Sequence, residues 1–408
     1  MSLHPWARGL FILLLYPLLY PSLAQALLPP SVIVNGSNTW TAGDNPGADV
    51  TVTGSGTTLT LGAGSYHFNS LTVQNSATVV ASSSVTVTID SNMNIDALSS
   101  FNADGMGYPG ASGPGNGANT TSSGPGGGAY GGPGGRGKPA NFGSSVFYGS
   151  ITQPTDLGSG GGNLTASGLA GGAGGGAIKL VVTGTLTVDG NLSASGATGT
   201  TNTFASAGGG SGGSIWLQVG TLAGAGYIFA KGGDSPTVSG SWGGGGGGGR
   251  IALYYTTNSF AGSLYVDGGN GFNSGSAGTI AGPYAADKLV FQFRPSSSGQ
   301  VGKNLTAQPV VVPVSSTHNN WVDVNYTGNV TLTAYSDSTC TTPLLGATVP
   351  GSPVAISNGA AVFTGVQINR RTFSGLVYLK ATSGSLTSAC SLSVNMTGST
   401  SPIFFKGY

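Results

Sequence analysis

The sequence predicts an all-β chain, and three observations carry that reading. The first is composition: 408 residues hold 75 glycines but only 13 Lys+Arg and 12 Asp+Glu, and every acid is an aspartate. Helix-rich soluble proteins lean on Glu, Lys, Ala and Leu. Gly, Ser, Thr, Asn and Val suit short strands joined by many turns. The second is period-two alternation. Val50-Thr51-Val52-Thr53, Leu71-Thr72-Val73 and Val85-Thr86-Val87-Thr88-Ile89 place apolar side chains on one face and polar ones on the other. The third is a repeat. Gly-Gly-Gly-Ala-Ile-Lys-Leu ends at Leu180, Gly-Gly-Ser-Ile-Trp-Leu at Leu217 and Gly-Gly-Arg-Ile-Ala-Leu at Leu253. Their isoleucines, Ile178, Ile215 and Ile251, are 37 and 36 residues apart, and the turn glycines Gly196, Gly232 and Gly268 are 36 apart. Fixed spacing of this kind means stacked units.

Taken in order, residues 1–26 read as a secretory signal. Arg8 precedes an apolar run from Leu10 to Tyr20, and Ala24-Gln25-Ala26 offers a cleavage site before Leu27. The alternative is a membrane anchor, for which the run is short. No later stretch is apolar enough to span a bilayer as a helix. The mature chain is therefore expected without a transmembrane segment, secreted, extracellular or at the cell surface.

Residues 27–293 form the repeating region. About half of each unit is strand and turn, and the rest is a glycine-rich excursion at 197–213, 233–249 and 269–278. An earlier unit ends at Asp104-Gly105, with an excursion to about residue 173. One unit cannot bury its own apolar face, but stacked units build a continuous core. The expected architecture is a parallel, right-handed β-helix in which Ile178, Ile215 and Ile251 form an inward ladder. The excursions leave from one corner and gather on one side. Glycine loses the most backbone entropy on ordering. For 197–278 two alternatives stand: close packing of neighbouring backbones, or flexible solvated loops. The 107–143 tract has Pro-Gly runs and no strict three-residue period, so it is expected to be disordered, and a collagen helix is excluded.

Residues 294–305 read as a linker. Residues 306–398 carry about seven short strands, among them Val330-Leu332-Ala334 and Leu392-Val394-Met396, which predicts an immunoglobulin-like β-sandwich followed by a tail at 399–408. Cys340 and Cys390 are the only cysteines. In an exported protein they are expected to pair, the alternative being free thiols. Cys390, on the face of Leu392 and Val394, is expected to point inward.

The Gly-Gly-Gly-Ser-Gly-Gly-Ser-Ile-Trp-Leu repeat resembles glycine-rich β-helical domains of exported surface proteins, over residues 31–290. Tyr335-Ser336-Asp337-Ser338-Thr339-Cys340 through Ser388-Ala389-Cys390-Ser391 resembles a bacterial Ig-like module of surface fibres and adhesins, over residues 306–397. The second resemblance implies a spacer that carries another domain away from the cell. Neither brings a catalytic motif. Trimeric fibre adhesins usually show a coiled coil or a C-terminal barrel anchor, which this chain lacks.

The chemistry-bearing residues are few. A formal charge of +1 and the absence of a Lys/Arg run give no nucleic-acid footprint. Asp104, Asp189, Asp234 and Asp267 are the acids that a polysaccharide lyase or hydrolase on this fold would use. Asp104-Gly105 and Asp267-Gly268 also read as plain turns, and nothing in the spacing faces two carboxylates across a cleft. His67 and His318 are isolated, so no metal set and no cofactor are expected. Gly209-Gly210-Ser211-Gly212-Gly213 fits the letters of a nucleophile elbow but precedes a strand rather than a helix.

Aromatic residues are more telling. Tyr108, Tyr130, Phe142, Phe204, Trp242 and Phe272 lie inside glycine tracts that have no core to hide them. If the excursions gather, the rings gather too, and exposed rings stack on sugar faces. Tyr108, Tyr130, Phe204, Trp242 and Phe272 are therefore the candidate ligand-binding residues. The competing reading is that they pin the loops to the coil. The expected function is a non-catalytic surface protein, an adhesin or fibre component that binds a glycan, a cell surface or an extracellular matrix component. The alternatives are a carbohydrate-active enzyme and a filament-forming homo-oligomeric subunit.

Overall fold

In the computed structural model, residues 29–138, 143–144, 146–370 and 373–398 are described. The expected signal segment, the tail 399–408 and Phe142 lie outside them. The described chain is all-β, and its only helical elements are the 3₁₀ turns Thr165–Ser167 and Ser316–His318.

Two parallel sheets run through residues 31–282. The longer holds Ser31–Val34, Asp49–Thr53, Ser70–Gln74, Met93–Ile95, Ala177–Val188, Ser214–Ala223, Arg250–Asn258 and Thr279–Gly282 in that spatial order. The shorter holds Asn38–Trp40, Thr58–Leu61, Thr78–Ala81, Ser100–Asn102, Asn191–Ser193, Tyr227–Phe229 and Ser263–Tyr265. Gly64–Phe68 and Ser84–Ile89 also belong to the longer sheet, directly before Ser70–Gln74 and Met93–Ile95; otherwise the chain visits the two sheets alternately, and each strand pairs in parallel with its counterpart one circuit later. Ile178, Ile215 and Ile251 stand in register, as their spacing predicts, and Val85 and Ile280 extend the column at either end. All three isoleucines are buried in one core with Val50, Leu71, Leu192 and Ile228. A shorter period precedes the glycine tracts: Val50 pairs with Leu71 and Leu71 with Met93, circuits of 21 and 22 residues.

The excursions are packed backbone, and their hydrogen bonds turn through three directions. In residues 208–213, Gly208 and Ser211 donate to Gly162 and Ser159, Gly209 and Gly212 donate to Gly244 and Gly247, and Gly210 and Gly213 donate to Ala197 and Ala194. Each direction returns every third residue. A polyproline-II-type helix has this period of three, and its backbone groups all point outward because none bond internally. The arms thus form a stack of extended glycine segments, each tied to three neighbours. Residues 107–138, expected to be disordered, join the same stack: Gly128 donates to Gly209, Gly135 to Gly245 and Gly126 to Ala118. The letters here keep no strict three-residue period, and the hydrogen bonds display it. A β-carbon on Gly209, Gly210, Gly245 or Gly246 would land under 3.0 Å from a neighbouring carbonyl oxygen. Glycine is required here for close approach.

The long sheet continues past Gly282. Trp321–Asp323 pairs in parallel with Thr279–Gly282 and antiparallel with Val310–Ser315, which also pairs with Lys288–Phe293 and Ala361–Val362. A second sheet, ordered Ser298–Gln300, Val394–Thr397, Gly375–Thr382, Asn329–Tyr335, Val354–Ala355, closes over it. Leu289, Val311 and Phe363 share a core with Leu332, Val377 and Val394. Residues 294–305 are therefore not a linker: Ser298–Gln300 is a strand on Val394–Thr397, and Leu305 is buried. Cys340 and Cys390 are disulfide-bonded, Cα–Cα 5.9 Å. Cys390 and Leu392 nevertheless face solvent. The alternation breaks at Ser391, whose buried hydroxyl accepts the Leu379 N–H in place of a ladder bond.

Candidate binding surface

The tips of three successive excursions are bound to one another. In the first, Asn202 Oδ1 accepts the N–H groups of Phe204 (3.0 Å) and Ala205 (2.8 Å), an Asx turn that sets the Phe204 ring outward, 70% exposed. The Phe204 carbonyl accepts the N–H of Ser241 in the second tip at 3.1 Å. The half-buried Trp242 donates its indole N–H to the Ser235 carbonyl (3.2 Å) and meets the Phe272 ring of the third tip edge to face, 5.9 Å between centroids. Phe272 is 38% exposed, and its N–H is held by the Gly243 carbonyl. Phe204, Trp242 and Phe272 thus occupy one edge of the glycine stack, beside the Lys138 backbone that donates to the Trp242 carbonyl.

Two sequence candidates do not join them. Tyr108 is partly exposed, but it sits in an outer layer of the stack with its N–H on the Gly158 carbonyl and its ring over Gly113. Tyr130 is fully buried and cannot meet a ligand in solution. Its hydroxyl lies 2.7 Å from Ser214 Oγ, its ring is 4.8 Å from that of Tyr148, and burial pushes its phenol up to about 12. The segment that carries it folds back over the coil, so Tyr130 pins the tract in place.

A second aromatic surface escaped the sequence reading. Tyr227 and Tyr265, 50% and 37% exposed, stack on the outer face of the shorter sheet at 6.4 Å, and Lys231 Nζ sits 4.4 Å from the Tyr265 ring. Inward Ile228 between outward Tyr227 and Phe229 was the signal available in the sequence.

The aspartates act on backbone. Asp104 accepts the Ser195 N–H (2.6 Å) and the Ser193 hydroxyl (2.8 Å), Asp189 the Ala225 N–H (3.0 Å) and Asp234 the Asn270 N–H (2.6 Å). Each caps the following circuit. Crowding by protein around Asp104 raises its carboxyl above the ordinary 3.8, against the pull of those two bonds. Asp267 lines an open groove with Lys231 and Asp234. No cluster of three His, Cys, Asp or Glu occurs among the described residues.

Arg250 is the residue that sequence reasoning passed over. It occupies the column in which the repeat places Ala177, Ser214 and Thr279. Its guanidinium is buried, with Nη1 donating to Thr279 Oγ1 and Nη2 to the Tyr148 carbonyl, both 3.1 Å. Burial lowers its pKa. Its charge against small neighbours in the same column was the legible anomaly. No family model, no curated protein and no solved structure matches the chain.

Proposed function

We propose that the chain is a secreted or cell-surface, non-catalytic protein that grips a glycan or another surface through the edge formed by Phe204, Trp242 and Phe272. The alternating parallel sheets are read as a β-helix and the C-terminal sheets as an Ig-like sandwich that positions it. The observation that carries this reading is the Phe204 ring. A large apolar side chain stands 70% exposed on a tip whose turn and backbone are fixed by hydrogen bonds, next to a Trp–Phe pair. Rigid aromatic area exposed in this way stacks on sugar faces at little entropic cost. The commitment of Asp104, Asp189 and Asp234 to capping weighs against a carbohydrate-active enzyme.

The test is a glycan array read with the intact chain, Phe204→Ala and Trp242→Ala. Binding lost in both variants without turnover of the glycan is the expected result. Binding unaffected by either variant would overturn the reading.

A filament subunit is the second reading, and the end of the coil favours it. Ser263–Tyr265 is the last strand of the shorter sheet, and Leu264, Val266 and Ile280 beside it are only partly buried. An open edge of this kind invites pairing. A mass that rises with concentration in light scattering would support it.

A further inference from the structure

A cavity of about 540 Å³ lies where the repeating coil, the 146–157 segment and the C-terminal sheets meet. Its walls are mainly apolar, with Phe147, Ile151, Phe293, Val310, Val354 and Val362. Arg250 also lines it and is the one cationic group that does so.

The state of Arg250 is unusual. Its side chain is wholly buried, yet no carboxylate lies within ion-pair distance. The described residues contain one such pair, His67–Asp90, at the other end of the coil. Tyr130 and then Asp156 favour the charged guanidinium, and the Tyr130 ring lies 5.2 Å away. Both terminal nitrogens donate to neutral oxygens, while Nε–H has no acceptor. Buried charges are paired as a rule, and a buried donor without an acceptor costs its full desolvation. A buried guanidinium with no carboxylate in contact, set in the wall of an apolar volume, describes a small molecule with one anionic end and one apolar end. Ligand cavities have this size, and this ratio of apolar wall to a few fixed polar groups.

We propose that this cavity binds a small carboxylic acid with an aliphatic or aromatic body. Its carboxylate faces the Arg250 guanidinium, and its chain lies against Phe293, Val310 and Val354. The site is separate from the Phe204–Trp242–Phe272 edge and does not depend on the function proposed for it.

The probes are octanoate and phenylacetate, with octan-1-ol as the neutral counterpart and sodium chloride at equal ionic strength as the anion control. Calorimetric titration of the full chain should give one saturable site for at least one carboxylate. Octan-1-ol should bind roughly 10- to 100-fold more weakly, the worth of a charge-assisted hydrogen bond. Arg250→Met should abolish the carboxylate preference. If that variant fails to fold, Val362→Trp keeps the guanidinium and fills the mouth from a position already 56% exposed. It should lose about tenfold or more in carboxylate affinity at unchanged melting temperature. The proposal is overturned if neither acid binds saturably at millimolar concentration, if octan-1-ol or chloride does as well as octanoate, or if Val362→Trp binds like the parent chain.

Discussion

At the scale of single residues, the protein rests on what a side chain would displace. Gly210 has the Ala173 carbonyl where its β-carbon would go, whereas Gly36 has nothing within 4 Å. Gly210→Ala must push two arms apart and should cost roughly 1–3 kcal/mol, as overpacking does. Gly36→Ala should stay within about 0.5 kcal/mol. Denaturant unfolding of the two variants makes the comparison. Tyr130→Phe removes the bond to Ser214 Oγ and should cost about 1 kcal/mol in the same assay. These positions differ in how legible they were. That Trp242 and Phe272 lie on neighbouring tips followed from the spacing of the excursions. That Tyr130 is buried did not follow, because its partners Ser214 and Tyr148 come from a different circuit and from a segment that folds back.

At the scale of elements, strands were easier to read than arms. Alternation fixes which residues of 84–89 face inward, since the period of two leaves a single choice. A glycine tract has no such pattern, because with no side chains there is nothing to alternate, and its period appears only in where the N–H groups point. This gives the arms an observable. Amides of 208–213 and 244–249 belong to no helix or strand, yet each is bonded to a neighbouring carbonyl, nine of the twelve on buried residues. Those bonded to buried residues should exchange with solvent as slowly as the amides of Ile178 or Ile215, whereas solvated loops would exchange at once. The linker expected at 294–305 was lost for a related reason. Ser298-Gly299-Gln300 has the composition of a loop, and only its pairing with Val394–Thr397 makes it a strand. The Cys340–Cys390 bridge closes a span of 50 residues, and in the chain-entropy model its loss costs about 4 kcal/mol at most. Replacing both cysteines by serine should lower the unfolding midpoint by an amount within that bound.

At the scale of the whole molecule, charge is sparse enough for individual carboxylates to set the acid response. Hydroxyl donors hold three of them below the ordinary 3.8: Ser70 for Asp49, Ser316 for Asp287 and Thr339 for Asp337. A carboxyl whose folded pKa is depressed stabilises the fold fully above the unfolded value and loses that contribution as pH falls through the folded one. Asp104 is shifted the other way and works against the other three. The melting temperature should therefore hold from neutrality to about pH 5 and fall below about pH 4. Asp337→Asn should flatten that fall, and a parent chain equally stable at pH 3 and pH 6 would refute the assignment. The all-β class with its parallel sheets was legible at this scale because the repeat is long and regular. The joining of the C-terminal sheets to the coil was not, because it depends on Trp321–Asp323 meeting Thr279–Gly282, short segments with no motif.

The three-way bonding of the glycine arms also governs how the molecule meets proteases. A protease takes its substrate as a free extended strand and finds one most readily at exposed tips. Between Lys138 and Arg250 the only basic residues are Lys179 and Lys231, and each lies across an aromatic ring, that of Trp216 at 3.6 Å and that of Tyr265 at 4.4 Å. Lys138 is followed by Pro139, and Arg250 is buried. Within this span the backbone N–H groups of 208–213 and 244–249 are already committed to neighbours. Under native conditions trypsin should leave the span from Pro139 to Arg250 uncut, so the segment richest in glycine, by composition the most pliable part of the chain, should be the most durable outside a cell.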